Sequence, residues 1–262
     1  MRIATWNVNS IVARLPRLLE WLEQTGPDAV CLQETKVPDA GFPTAQVEEL
    51  GYQVASHGDG RWNGVALLSR VGLSGVTRGL TGEPGFPETE ARAVGATCGP
   101  LRLWSVYVPN GREPGHEHYA YKLDWLAALR GTVASELDEL GADGAFAVCG
   151  DYNVAPTDDD VWDPAAFVGS THVTEPERTA LAALRDTGLH DVVGRPLKYD
   201  RPFTYWDYRA GMFHKNLGMR IDLVYATPAV SGAVRDAYVD RDARKGKGPS
   251  DHAPVVVDLD LP

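Results

Sequence analysis

Short apolar runs rich in β-branched and aromatic residues recur along the whole chain, and most end in a cluster of polar side chains. The pattern predicts strands over 2–6, 29–33, 51–56, 64–69, 91–97, 101–107, 145–149, 203–206, 220–225, 234–239 and 254–259. A helical period is rarer. Leu15, Leu18, Leu19 and Leu22 mark one face of a helix that takes Pro16 in its first turn. Leu123, Leu126, Leu129 and Val133 mark the face of another over 117–140. A third starts at Thr174, where Thr174 and Glu177 have capping-box spacing, and ends near Gly188. Many strands, three helices and no regular strand–helix alternation predict an α+β fold with packed sheets. The loops at 79–87 and 246–249 are too short to be linkers, so residues 1–262 read as one domain. There is also an internal echo. Strand 2–6 runs into Asn7-Val8-Asn9, and strand 145–149 into Gly150-Asp151-Tyr152-Asn153, as if two halves each delivered polar residues to a shared site.

Composition narrows the class. A chain of 262 residues with 44% hydrophobic content has enough apolar surface for a substantial core. No run approaches the roughly 20 apolar residues that span a bilayer, and the first residues lack a signal-peptide core. These features predict a cytoplasmic protein with no membrane partner. Cys31, Cys98 and Cys149 sit in or beside apolar runs without metal-type spacing and read as buried free thiols. The net charge of −11 argues against a polyanionic partner until its distribution is considered. Residues 135–200 hold 14 acidic against 4 basic side chains, whereas residues 201–262 hold 8 against 9. Local field steers a polyanion better than net charge does, so nucleic acid stays open as a substrate. Arg112, Lys215, Arg244, Lys245 and Lys247 are candidate phosphate contacts, although solvated loop charge accounts for each equally well.

The chemistry lies where apolar strands stop. Asn7 and Asn9 follow the first strand, and Glu34 follows the second. Tyr107 and Asn110, then Asp151 and Asn153, follow two later strands, while Asp251 and His252 precede the last. Asp222 lies within the apolar run 221–225, where a carboxylate costs several kcal/mol unless it is paired or bound to a cation. Each has a plainer reading: Glu34 as a loop start, Asp151 and Asn153 as an Asx turn, Asp222 as an acid satisfied by amides. Tyr107 would ordinarily be core and His252 a satisfied histidine. Together they fit one chemistry. Oxygen donors without a histidine or cysteine cluster suit Mg²⁺ or Mn²⁺ rather than zinc. Such a metal assists phosphoester hydrolysis, with Asp151 acting on water and His252, beside Asp222, on a phosphate oxygen. No nucleotide-binding Gly-rich loop and no nucleophile elbow is present, and His116-Glu117-His118 reads as the cap of the long helix.

Seven motifs in order carry a resemblance. They are Thr5-Trp6-Asn7-Val8-Asn9-Ser10, Leu32-Gln33-Glu34-Thr35-Lys36, Tyr107-Val108-Pro109-Asn110-Gly111 and Gly150-Asp151-Tyr152-Asn153-Val154-Ala155-Pro156. Then come Phe203-Thr204-Tyr205-Trp206-Asp207-Tyr208, Gly218-Met219-Arg220-Ile221-Asp222 and Pro249-Ser250-Asp251-His252-Ala253-Pro254. The chain resembles the exonuclease III family of DNA-repair nucleases, within the endonuclease/exonuclease/phosphatase superfamily. The resemblance implies a four-layered α/β sandwich with two mixed sheets face to face. It implies Mg²⁺- or Mn²⁺-dependent hydrolysis of duplex DNA by a monomer working on the nucleoid: 3′→5′ exonuclease action, cleavage 5′ to abasic sites and trimming of blocked 3′ ends. It makes Glu34 the principal metal ligand, with Asn7 and Asp251 near the metal. Asp151 would activate water beside Asn153, and His252, paired to Asp222, would bind the scissile phosphate. Tyr107 would sit near that phosphate or the leaving group, and Asn110 would contact backbone phosphate. Tyr205, Met219 and Ile221 would wall a pocket for a flipped-out abasic sugar, with Trp206 under the site, against the sugar or simply packed in the core. Tyrosine at 107 favours this branch over pancreatic-type deoxyribonucleases and sphingomyelinases, which have histidine there. Met219 replaces a tryptophan of many relatives, and Asn9 an acid of some. A lipid or small-ester phosphodiesterase of the same superfamily, or a non-catalytic DNA-binding relative, are the alternatives.

Overall fold

The computed structural model describes residues 1–81 and 90–261, so part of the loop expected at 79–87 lies outside the described residues. Twelve strands among these residues pair into two mixed sheets of six. The first sheet holds β1 (Arg2–Asn7), β2 (Ala29–Gln33), β3 (Gln53–His57), β4 (Val65–Ser69), β11 (Val234–Val239) and β12 (Val255–Leu259). Its order is β11-β12-β1-β2-β4-β3. The second holds β5 (Ser74–Arg78), β6 (Ala93–Cys98), β7 (Leu101–Tyr107), β8 (Phe146–Asp151), β9 (His190–Asp191) and β10 (Asp222–Ala226), in the order β5-β6-β7-β8-β10-β9. Each sheet has one parallel pair at its centre, β1 with β2 and β7 with β8, flanked by antiparallel neighbours. The echo seen between residues 2–9 and 145–153 is thus a repeated strand plan.

Strand residues alternate between two buried faces, which explains why the strands are apolar almost throughout. Ile3, Ala29 and Cys31 meet Leu103, Ala147 and Cys149 in the core between the sheets. The opposite faces carry helices. Trp6, Val30 and Leu32 pack under α1 (Ile11–Thr25) and α2 (Thr44–Glu48). Trp104, Val106 and Val148 pack under α3 (Glu117–Leu140) and α4 (Glu175–Arg185). The result is the expected helix–sheet–sheet–helix sandwich, with the short α5 (Met212–Lys215) and α6 (Pro228–Ser231) at its margins. All three cysteines are buried free thiols. No helix among the described residues is long and apolar enough to cross a membrane.

The capping box of Thr174 and Glu177 is present at α4, and His116 caps α3 by accepting from the His118 amide. Several details differ from the pattern reading. α1 begins at Ile11 behind the Ser10 cap, so Pro16 falls in the second turn on an exposed face rather than in the first. α3 buries Lys122, Trp125, Leu126, Leu129 and Val133, leaving Leu123 half-covered. Residues 203–206 form no strand; Tyr205 makes only single bridges, to Met219 and His252. β5, mostly exposed at a sheet edge, lacks the apolar alternation that would reveal it.

Buried charge ties the sheet edge to the loops. Arg220 is buried, with its guanidinium 2.6 Å from Asp160 and 2.9 Å from Asp191. Arg220→Met leaves two carboxylates without their cation and is expected to destabilise the fold by about 3–5 kcal/mol. Urea unfolding at pH 7.5 checks this; a loss below about 1 kcal/mol would show the pair to be replaceable.

Candidate active site

Strand register brings the polar motifs to one end of the sandwich. Asn7 pairs with Gln33 across β1 and β2, placing Glu34 one step beyond. In the facing sheet Tyr107 pairs with Asp151 across β7 and β8, and Asp151 with Asp222 across β8 and β10. The side chains then close on one another. The Asn7 amide donates to Glu34 (2.8 Å) and to Asp151 (2.9 Å), joining the two sheets. The His252 Nδ1–H donates to Asp222 at 2.8 Å, and its Nε2 lies 3.8 Å from an Asp151 oxygen. Ser250 fixes this arm by donating to the Asn7 carbonyl at 2.6 Å.

Backbone strain gathers here. Glu34 and Lys36 adopt φ of 52° and 55°, and Asn9, Asn153 and His172 are also left-handed. Asparagine accepts this region readily; glutamate and lysine do so at a cost of about 1–3 kcal/mol each. The turn is held by Ser10 donating to the Glu34 carbonyl (2.7 Å) and Lys36 donating to the Asn63 carbonyl (3.0 Å). It aims the Glu34 carboxylate back over the strand ends.

Burial and proximity set the protonation states. Burial would depress the His252 imidazolium, but Asp222 and Asp151 outweigh it and raise the pKa to about 10. Burial, reinforced by the neighbouring Asp222 and Glu34 charges and opposed by His252, lifts Asp151 to about 7. Glu34 is pushed up by burial, yet Lys36 and Asn7 bring it below the ordinary carboxylate range. Burial, with Glu34 and Asp151 nearby, drives the Tyr107 phenol well above its usual value, keeping it a neutral donor. The Arg92 guanidinium lies 4.8 Å above that ring.

The other expected residues fall into place unequally. Asn153 donates its backbone N–H to Asp151 (2.9 Å) and its side-chain amide to the Val108 carbonyl (3.0 Å), while Asn110 donates to Asn153 (3.3 Å). Asp251 joins the cluster through Asn9, which donates to it at 3.0 Å and accepts from Lys36. Tyr205 packs against His252 with ring centroids 4.9 Å apart. Beside them opens a cavity of about 460 Å³ whose lining includes Arg112, Trp162, Phe167, His172, Tyr205 and Met219. Ile221 packs behind Met219. Trp206 does not reach the site surface. It is 1% exposed, donates to Asn216 and packs against Phe213, so of its three readings the structure shows core packing and not contact with a sugar. Arg244 is likewise withdrawn from the phosphate contacts, being buried with its guanidinium on the Trp206 carbonyl.

Lys36 escaped the sequence reading although it stands in the quoted Glu34 motif; its ammonium lies 2.7 Å from Glu34. His172 was missed as well. Its Nδ1–H donates to the Asn153 carbonyl at 2.6 Å, and burial beside Lys122 lowers its pKa to about 4, so the ring is neutral. Among the described residues, Glu34, Asp151 and His252 can each turn one ligating atom within 4.8 Å of the others. An oxygen-rich set with two carboxylates, a third acid close by and an ammonium already drawn to Glu34 fits a hard divalent cation.

Residues 4–252 match the profile of the Endonuclease/Exonuclease/phosphatase family. The chain belongs to that family. Exodeoxyribonuclease III of Haemophilus influenzae is 30% identical, over 97% of this chain and 98% of its own length. Two solved structures superpose over their full lengths and this chain's, each with 35% identity and a TM-score of 0.93. One is a 3′ phosphatase from Neisseria bound to a product DNA hairpin, and the other an AP endonuclease from Archaeoglobus fulgidus. These likenesses place the chain in the exonuclease III branch of the endonuclease/exonuclease/phosphatase family. Nucleases of this superfamily depend on a divalent metal, which agrees with the acidic cluster.

Proposed function

We propose that this protein is a Mg²⁺-dependent DNA-repair nuclease that hydrolyses phosphodiesters of duplex DNA, at 3′ ends and on the 5′ side of abasic sites. The observation that carries it is the Asn7 amide bridging Glu34 of one sheet to Asp151 of the other, with the Asp222–His252 pair against the same carboxylate. Glu34 would be the principal holder of the metal, with Asn7 and Asp251 close to it. Bound there, Mg²⁺ supplies a Lewis acid that offsets charge developing on the phosphoryl oxygens.

The protein's own groups supply the rest. The His252 imidazolium donates a hydrogen bond to a non-bridging phosphate oxygen. Asp151, its two oxygens held by the Asn153 N–H and the Asn7 amide, orients a water and takes its proton as the water oxygen bonds to phosphorus. The P–O3′ bond breaks, and the neutral Tyr107 hydroxyl stabilises the departing oxygen. Asn110 and Arg112 would steady a neighbouring phosphate. The cavity that Tyr205 and Met219 help to line supports the abasic reading: its apolar side chains suit a sugar without a base, which leaves the stack at lower cost than an intact nucleotide. We infer that residues 1–262 act as one catalytic domain, as a monomer, in the cytoplasm and on the nucleoid.

The test uses end-labelled duplex DNA with one central abasic analogue and a matched intact duplex, each with Mg²⁺ and with chelator. Metal-dependent incision 5′ to the lesion, with shortening from 3′ ends, is the expected pattern. Shortening alone restricts the enzyme to 3′ ends, and no cleavage of either duplex overturns the proposal.

A further inference from the structure

The interior beneath the site holds a charge that none of the steps above uses. Lys122, on the core-facing side of α3, is fully buried, and so is its partner Glu177 on α4. The three N–H groups of the Lys122 ammonium face four acceptors: the Asn153 carbonyl at 2.6 Å, the Glu177 carboxylate, and more distantly the Asn110 carbonyl at 3.2 Å and the Thr171 hydroxyl at 3.3 Å. Glu177 in turn accepts from the Thr171 hydroxyl (2.6 Å) and the His172 N–H (3.0 Å), besides closing the α4 cap. Gly111 completes the fit. A β-carbon there would stand 3.0 Å from both the Lys122 stem and the Thr171 hydroxyl.

A buried ion pair seldom outperforms a well-packed apolar pair in stability, so stability alone does not explain this one. Its contacts do. Asn110 and Asn153 sit where β7 and β8 have ended, and the left-handed turn at Asn153 carries its carbonyl out of any strand ladder. Each carbonyl also has a donor of its own, the Thr171 hydroxyl for Asn110 (3.1 Å) and the His172 ring for Asn153 (2.6 Å). The ammonium is the donor they share, and sharing it fixes the distance between the two loops. On the other side of the same residues, the Asn110 side chain bonds that of Asn153, and the Asn153 N–H bonds Asp151.

Resting on the nuclease reading above, we propose that Lys122, held by Glu177, is a positioning residue that sets Asn110, Asn153 and hence Asp151 against the scissile phosphate. It touches neither substrate nor metal. Removing it lets the two loops slide, and a displacement near 1 Å costs a reaction up to about 100-fold.

The decisive variant is Lys122→Met combined with Glu177→Leu, which deletes both charges and fills their space. Its melting temperature is expected to fall, because the His172 N–H and the α4 cap lose their acceptor, but in protein that is still folded kcat on 3′-ended duplex falls roughly 10- to 100-fold and KM changes less than about threefold. A merely structural role predicts a lower melting temperature with kcat of the folded protein unchanged. As a control, Glu136→Gln breaks the bidentate Arg102–Glu136 pair elsewhere on α3 and is expected to lower the melting temperature with kcat unchanged. Should the double variant fail to fold, Thr171→Val keeps both charges and removes one strut, with an expected fall of about 3- to 10-fold in kcat at constant KM. A folded double variant within twofold of wild-type kcat overturns the proposal; so does an unchanged Thr171→Val if only that variant folds. Wild-type protein that cuts no duplex would instead defeat the nuclease reading itself, so the two failures are told apart.

Discussion

Asp151→Asn is expected to lower kcat on duplex DNA by about 10³–10⁴-fold while leaving a folded, DNA-binding protein. Asparagine keeps the shape of the side chain and can still accept from the Asn153 N–H, but it has no basic oxygen for a proton from water. The same substitution should raise stability in chelator near pH 7.5. The folded Asp151 pKa of about 7 lies above the ordinary carboxylate value, so the folded state holds this proton more tightly than the unfolded chain does. Stability from this group is therefore present at low pH and lost as pH rises through about 4 to 7; the amide removes that loss. For the wild type, the acid side of the rate profile should climb as Asp151 ionises toward about 7, and added Mg²⁺ should shift the climb downward by favouring the carboxylate. Single-turnover rates and thermal melts measure both effects. A variant that cleaves at more than a tenth of the wild-type rate would remove Asp151 as the base.

Glu34→Ala is expected to abolish the response to metal. Wild-type protein should melt higher in Mg²⁺ than in chelator, because a ligand that binds only the folded state stabilises it by mass action. Without Glu34 the cluster loses the carboxylate that Lys36 and Asn7 keep ionised, and only the more tightly protonated Asp151 and the flanking Asp251 remain. Loss of several kcal/mol of charge stabilisation corresponds to a drop of at least about 10²–10³-fold in kcat/KM at millimolar Mg²⁺. Differential scanning fluorimetry across a Mg²⁺ titration, paired with cleavage assays, reads both effects. An undiminished metal-induced shift in the variant would place the ion elsewhere.

Much of the site was legible because its residues break a rule of their surroundings. Acids and amides directly after apolar strands are costly unless something uses them, and Asn7, Glu34, Tyr107, Asp151, Asp222 and His252 do converge. The sandwich was legible for a related reason: strands apolar on both faces need cover on both. What escaped depends on depth and on the path of the chain between elements. Trp206 shares a motif with Tyr205, yet alternation sends one ring to His252 and the other into the core. Arg244 looked like loop charge, and only the fold shows it among Trp206, Tyr208 and Phe213. The Lys122–Glu177 pair left a trace that periodicity can expose. Lys122 precedes Leu126 and Leu129 by four and seven residues, and Glu177 precedes Leu181 and Leu184 by the same intervals. Opposite charges on the apolar stripes of two helices point to a partnership inside the protein.

The place of β12 governs how the enzyme can be made. This strand is laid between β1 and β11, although β1 leaves the ribosome some 250 residues earlier. The Met1 amine donates to the Leu259 carbonyl, the Trp6 indole to the His252 carbonyl, and Ser250 to Asn7. A nascent chain therefore carries Asn7 and Glu34 through most of its synthesis with the edge of β1 unpaired and the imidazole not yet translated. Non-local closure of this kind is slow and leaves an exposed strand for chaperones to guard. A chain ending before residue 252 would lack both the strand that covers β1 and the imidazole that faces Asp222.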